Sequence, residues 1–100
     1  MPSSDITVTG SIRMTHATGL HARPSVKFTK LAKTFSADIE FATDPDGPWI
    51  NAKSIVKVMI TRVPRDALLH LRASGADAEA AIAALVNLVR FDFDERHEAR

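Results

Sequence analysis

The chain has 100 residues and 45% hydrophobic composition, enough for one domain with a single core, and it holds no cysteine, which excludes disulfides, thiolate catalysis and cysteine-ligated zinc and suits a reducing compartment. No apolar run reaches membrane-spanning length, and Met1-Pro2-Ser3-Ser4-Asp5 lacks the basic start and apolar centre of a signal peptide, so a cytoplasmic protein without membrane insertion is expected. The net charge is +1, with four acids and two bases in the last ten residues and +3 on the first ninety: enough to favour acidic partners, too little for nucleic-acid binding.

In chain order, Ile6, Val8, Gly10, Ile12 and Met14 alternate with Thr7, Thr9, Ser11 and Arg13, the period of a half-buried strand with one weak position at Gly10. Thr15 to Gly19 is a loop. Its His16 reads as a surface residue, since no carboxylate or second histidine stands at ligand spacing beside it, and no metal site is expected anywhere in the chain. The stretch Gly19-Leu20-His21-Ala22-Arg23-Pro24 is where this loop becomes a helix: Gly19 permits the tight turn, and Pro24 marks the helix start because its missing N–H would be unpaired there anyway.

His21 therefore falls at or next to the N-cap, over backbone N–H donors and the positive end of the helix dipole. That environment favours an anion and disfavours an imidazolium. A neutral imidazole there is a ready nucleophile, and a phosphoryl group on it meets N–H donors and the forked guanidinium of Arg23. A single histidine at a helix start is as a rule a cap or a solvent-exposed side chain, so this chemistry needs the whole hexapeptide behind it.

The helix continues with Phe28, Leu31, Ala32 and Phe35 as its core stripe, while Lys27, Lys30 and Lys33 form a solvated face or a docking rim for an acidic partner. Ala37 to Ala42 reads as a second strand with Ile39 and Phe41 on one face. Asp44-Pro45-Asp46-Gly47-Pro48 is a turn, and Trp49 to Asn51 a short third strand with Trp49 as a loop anchor. Ala52 to Ile60 fits a strand by its β-branched content and a short helix by its position. A fourth strand spans Ala67 to Ala73, with Leu69 and Leu71 inward and His70, structural or surface in role, on the opposite face. Asp77 caps a final helix with Ala78, Ile82, Leu85, Val86 and Val89 as its core stripe, and from Phe91 the pattern is lost in a frayed, charged end.

G-L-H-A-R-P resembles the active-site motif of the HPr family, the histidine phosphocarriers of the bacterial phosphoenolpyruvate-dependent phosphotransferase system. N-A-K-S-I-V-K-V-M, from Asn51 to Met59, resembles that family's regulatory segment and decides the ambiguous run in favour of a short helix started by Ser54. The resemblance covers about Ile6 to Val89. It implies an α+β open-faced sandwich in the order β-α-β-β-α-β-α, a four-stranded antiparallel sheet with three helices on one face. The whole of residues 1–100 is then a single HPr-like domain, with a core of about 6–90 and a charged C-terminal tail over 91–100.

Carried over, His21 is the phosphorylated histidine, through Nδ1, and Arg23 steadies the phosphoryl group, with Ala22 and Pro24 forming the supporting helix start. Ser54 matches the serine that an HPr kinase/phosphorylase modifies in some bacteria, and Ile55, Val56, Lys57 and Met59 match the docking patch for enzyme I and the IIA proteins. The phosphoryl group then comes from phosphoenolpyruvate by way of enzyme I and leaves to a IIA-type protein. Such a protein needs no cofactor, is a monomer, and is a carrier consumed and regenerated, not an independent turnover enzyme. The end A-I-A-A-L-V-N-L-V-R-F-D-F-D-E, from Ala81 to Glu95, is similar to that of the nitrogen-branch NPr type, which regulates and does not import sugar.

Two departures bear on the docking edge. Thr61-Arg62-Val63-Pro64-Arg65 stands where sugar-branch relatives usually place glycines, and the turn between the second and third strands is about two residues longer than the family's commonest form. The alternatives to a nitrogen-branch carrier are a sugar-branch HPr and a regulatory docking module controlled by phosphate on Ser54. A hydrolase built on His21 fits poorly, since no serine or cysteine nucleophile is marked and no carboxylate is placed to orient the imidazole.

Overall fold

The computed structural model describes residues 7–15, 20, 22–91 and 93. Seven elements follow one another: β1 (Thr7–Arg13), α1 (Ala22–Lys33), β2 (Asp38–Ala42), β3 (Ile50–Asn51), α2 (Ile55–Thr61), β4 (Leu68–Ser74) and α3 (Ala78–Arg90). The strands form one antiparallel sheet in the order β1-β4-β2-β3, so the two long strands expected from their alternation lie side by side.

Register makes the two faces. Gly10 and Phe41 both pair with Leu71, Val8 and Ile39 both pair with Ala73, and Ile12 pairs with Leu69, which gathers the apolar residues of three strands on one side. All three helices cover that side. Phe28 of α1 meets Phe41 edge-on, with ring centroids 5.7 Å apart, Val58 of α2 is fully buried, and α3 buries Ala78, Ala81, Ile82, Leu85 and Val89. The open-faced sandwich expected from the motifs is thus the fold that forms. Gly10 marks its tightest point: a Cβ there would stand 2.7 Å from Ile82 Cγ2, so the absent side chain lets α3 press on β1.

Several local expectations are corrected. α1 begins at Ala22, two residues before Pro24, which a proline in the third helical position permits because the whole first turn lacks intrahelical N–H partners. Asp77 stands at the N-cap of α3 but makes no side-chain cap hydrogen bond. Its carboxylate instead accepts the backbone N–H groups of Ser36 and Ala37, both at 2.8 Å, and ties the end of α1 to the start of α3. The hydrogen bond from Ser36, ahead of that from Ala37, holds this carboxyl below the usual aspartate range against a smaller opposing effect of burial.

Phe93, within the stretch where fraying was expected, is fully buried in the core, and the rest of the tail after Phe91 lies outside the described residues. Lys27 is correspondingly half-buried, its Nζ donating to the Phe93 carbonyl at 2.8 Å, and does not belong to a freely solvated lysine face. Ile6, the first residue of the expected strand, lies outside the described residues, and β3 is two residues long, without Trp49.

Candidate functional site

The chain enters α1 through a pinned segment. Leu20 is buried, its N–H donates to the Val63 carbonyl at 2.8 Å, and its own carbonyl accepts the hydroxyl of buried Ser25 at 3.1 Å. These bonds fasten Leu20 both to the turn after α2 and to the helix that follows. His21 lies outside the described residues, as do His16 and Gly19. The residues after it are described: Ala22 and Arg23 open the helix and are exposed, and Pro24 is buried against the core. No acid stands in the first turn of α1, so its helix dipole and basic side chain act together toward an anion.

Beside this start lies α2. Ser54 is its N-cap: the hydroxyl accepts the Lys57 N–H at 3.3 Å and the carbonyl accepts that of Val58 at 2.9 Å. The family-like segment is therefore a helix opened by its serine. Ile55 is half-buried and Lys57 exposed; Val56 and Met59 are 62% and 42% exposed, on a helix whose one fully buried residue is Val58. The structure brings the end of α2, with Met59 and Ile60, beside Leu20 and Ala22 at the start of α1, next to the residues expected to dock partners. Two further apolar side chains, not singled out from the sequence, are exposed on these helices, Ile60 at 70% and Val26 of α1 at 44%. Their signal is weak, because Ile55 to Ile60 is apolar nearly throughout and only the burial of Val58 reveals that Val56 and Ile60 point away from the core.

Between the two helices runs a cleft of about 490 Å³, lined by Leu20, Ala22, Met59, Ile60, Arg62 and Pro64 among others. Its rim is closed by the end of α2, where Arg62 adopts the left-handed conformation, φ 53° and ψ 57°. For a residue with a Cβ that conformation costs roughly 1–2 kcal/mol.

The remaining candidates lie elsewhere. Trp49 is a loop anchor: the Arg72 guanidinium stacks 4.1 Å from its ring centroid while Arg72 Nε donates to Glu40 Oε1 at 2.7 Å, which holds the β2–β3 turn to β4. The turn itself is closed by Asp44, whose carboxylate and carbonyl accept the N–H groups of Asp46 and Gly47. His70 is half-buried on the sheet face away from the helices, between Ser11 and Ala42 in register. Among the described residues no helix is long and apolar enough to cross a membrane.

Comparison with known proteins agrees with this arrangement. The family model described as "PTS HPr component phosphorylation site" matches residues 8–90. The chain is 40% identical over 85 residues to a multiphosphoryl transfer protein of Vibrio cholerae, covering 84% of this chain but only 21% of that protein's length. It is 32% identical over 95 residues to phosphocarrier protein HPr of Pseudomonas aeruginosa, covering 95% of this chain and 98% of that one. With phosphocarrier protein NPr of Escherichia coli it shares 29% over 90 residues, 90% and 99% of the two chains. Among solved structures, HPr-C-His from Thermoanaerobacter tengcongensis superposes with a TM-score of 0.81 at 39% identity, covering 88% of this chain and 97% of that one.

Proposed function

This chain belongs to the HPr family, the phosphocarriers of the phosphotransferase system, and from that premise we propose that its carrier residue is His21. The observation that carries the reading is the placement of the motif: the residues after His21 open α1 with Arg23 exposed, and the end of α2, with Met59 and Ile60 exposed, lies beside that start. Transfer onto the ring is a displacement. The Nδ1 lone pair forms the N–P bond as the bond from phosphorus to enzyme I breaks, and a IIA-type acceptor later takes the group by the same chemistry. Arg23 offsets charge on the phosphoryl oxygens, and the N–H donors and dipole of the first turn, with Ala22 and Pro24 shaping it, contribute roughly 0.3–2 kcal/mol. A hold of that size suits a group that must be passed on.

Enzyme I and the IIA protein dock on Ile55, Val56, Lys57 and Met59, to which the exposure of Ile60 and Val26 adds area. Phosphate on Ser54, placed by an HPr kinase/phosphorylase, would replace its capping hydroxyl with a dianion beside that surface and so change partner affinity. The protein acts as a cytoplasmic monomer in a nitrogen-type regulatory branch. Relatives of both HPr and NPr kinds match at similar identity, so the branch reading rests on the chain end from Ala81 to Glu95 and on the arginine-bearing turn after α2.

The test is intact-protein mass spectrometry after incubation with phosphoenolpyruvate and a nitrogen-branch enzyme I, beside a sugar-branch enzyme I and a His21→Ala control. One acid-labile phosphoryl group, formed faster with the nitrogen-branch donor and absent from the control, is the expected result. A faster sugar-branch donor reverses the branch assignment. No phosphate from either donor, or phosphate kept by the control, overturns the carrier role of His21.

A further inference from the structure

The segments that carry α1 and α2 are charged with one sign. Residues 20–37, which contain α1, and residues 47–65, which contain α2, hold eight lysines and arginines and no aspartate or glutamate. Lys27 is engaged with the Phe93 carbonyl and Lys53 with the Phe35 carbonyl, and Arg23 also has a partner within the fold. Arg62 is placed differently. It is exposed, it lines the cleft between the start of α1 and the end of α2, and its guanidinium makes no ion pair among the described residues.

The backbone singles out the same residue. Arg62 ends α2 in the left-handed region, φ 53° and ψ 57°, a conformation that glycine takes without steric cost and that most helix ends of this kind give to glycine. The negative end of the α2 dipole favours a cation here, but a basic residue at Thr61 would serve the dipole with ordinary helical backbone. What the left-handed position adds is direction: the chain turns at Arg62, and its side chain borders the cleft walled by Met59, Ile60 and Pro64. The nearest acid in sequence, Asp66, lies past that turn and receives Arg13 on its carbonyl.

We infer that Arg62 is a partner-selecting residue: it pairs with a carboxylate on a protein partner whose neighbouring apolar side chain fills the cleft. The inference rests on the carrier reading above and adds the chemistry of the surface that docks. An acidic partner follows from charge complementarity, since the segments carrying α1 and α2 hold lysines and arginines and no repelling carboxylate. A partner that presents a lysine or a bare apolar surface at this point leaves the arginine desolvated and unpaired, and is rejected.

The experiment measures phosphoryl transfer from phosphorylated nitrogen-branch and sugar-branch enzyme I to the full chain, its Arg62→Gly and its Arg62→Glu variants, at two salt concentrations. For the faster donor, Arg62→Gly is expected to raise KM roughly tenfold with little change in kcat, to flatten the salt dependence, and to shrink the ratio between the two donors. Arg62→Glu raises KM further. Melting temperature separates this from a structural role, because glycine relieves the left-handed backbone, so the weaker binder is the more stable protein. An unchanged KM and donor ratio in both variants, with wild type normally phosphorylated, overturns the inference alone. A wild type that neither donor phosphorylates overturns the carrier reading and the inference with it.

Discussion

α2 and α3 are built from much the same residues and put them to opposite uses. α3 turns alanine, isoleucine, leucine and valine onto the sheet and buries five of its thirteen residues, whereas α2, also mostly apolar, buries only Val58 and leaves Val56, Met59 and Ile60 exposed. The difference separates apolar surface that serves the fold from apolar surface that, on the function proposed above, is left for a partner. In α3 the side chains of Ile82, Leu85 and Val89 each gain on the order of 1.5–3 kcal/mol from leaving water, which holds the sandwich together. In α2 that gain is left unused in the free protein and becomes available when another surface covers it.

The sharpest way to break the comparison is to cut the same kind of side chain from each helix. Leu85→Ala removes a fully buried residue of α3 and is expected to lower stability by about 2–5 kcal/mol in denaturant unfolding, enough to threaten folding of a domain this size. Asp77→Asn, at the start of the same helix, is smaller and depends on pH. The folded carboxyl has a lowered pKa, so its contribution is fully present above the ordinary aspartate range and is lost as pH falls through the folded value. Melting curves should show the variant less stable than wild type near pH 7, with the gap closing as pH falls through the lowered folded value. A gap that stayed constant across that range would mean Asp77 acts through shape and not through charge. The least effect on stability belongs to α2: Ile60→Ser, at a site 70% exposed, should shift unfolding by no more than about 0.5 kcal/mol while slowing phosphoryl transfer from enzyme I.

The same contrast explains what could be read from the residues alone. β1 and β4 were legible because alternation with period two is a local signal that register converts directly into one buried and one open face. The stripes of α1 and α3 were legible for the corresponding reason at helical period. α2 was not, since Ile55-Val56-Lys57-Val58-Met59-Ile60 has no polar face to set its orientation. The resemblance decided that it was a helix, and only packing showed that Ile60 points outward.

Long-range pairings were equally hidden. The side chain of Asp77 looked like a cap because caps are local, but its partners lie 40 and 41 residues earlier in the chain. Phe93, in the short run Phe91-Asp92-Phe93-Asp94 before a charged end, carried no helical pattern that could announce its burial or its bond to Lys27. At the candidate site, the motif named His21 and Arg23. The cleft beside Leu20 and Ala22, and Arg62 on its lining, came from the way Leu20 and Val63 are fastened together.

The most direct measurement is amide chemical-shift mapping of the isotope-labelled full chain as unlabelled enzyme I is added. Shifts are expected to gather on the first turn of α1, on α2 from Ser54 to Ile60 and on Arg62, while His70, Arg72 and the outward residues of β1 stay still. Perturbations centred on that outer face of the sheet, with α2 unmoved, would contradict it.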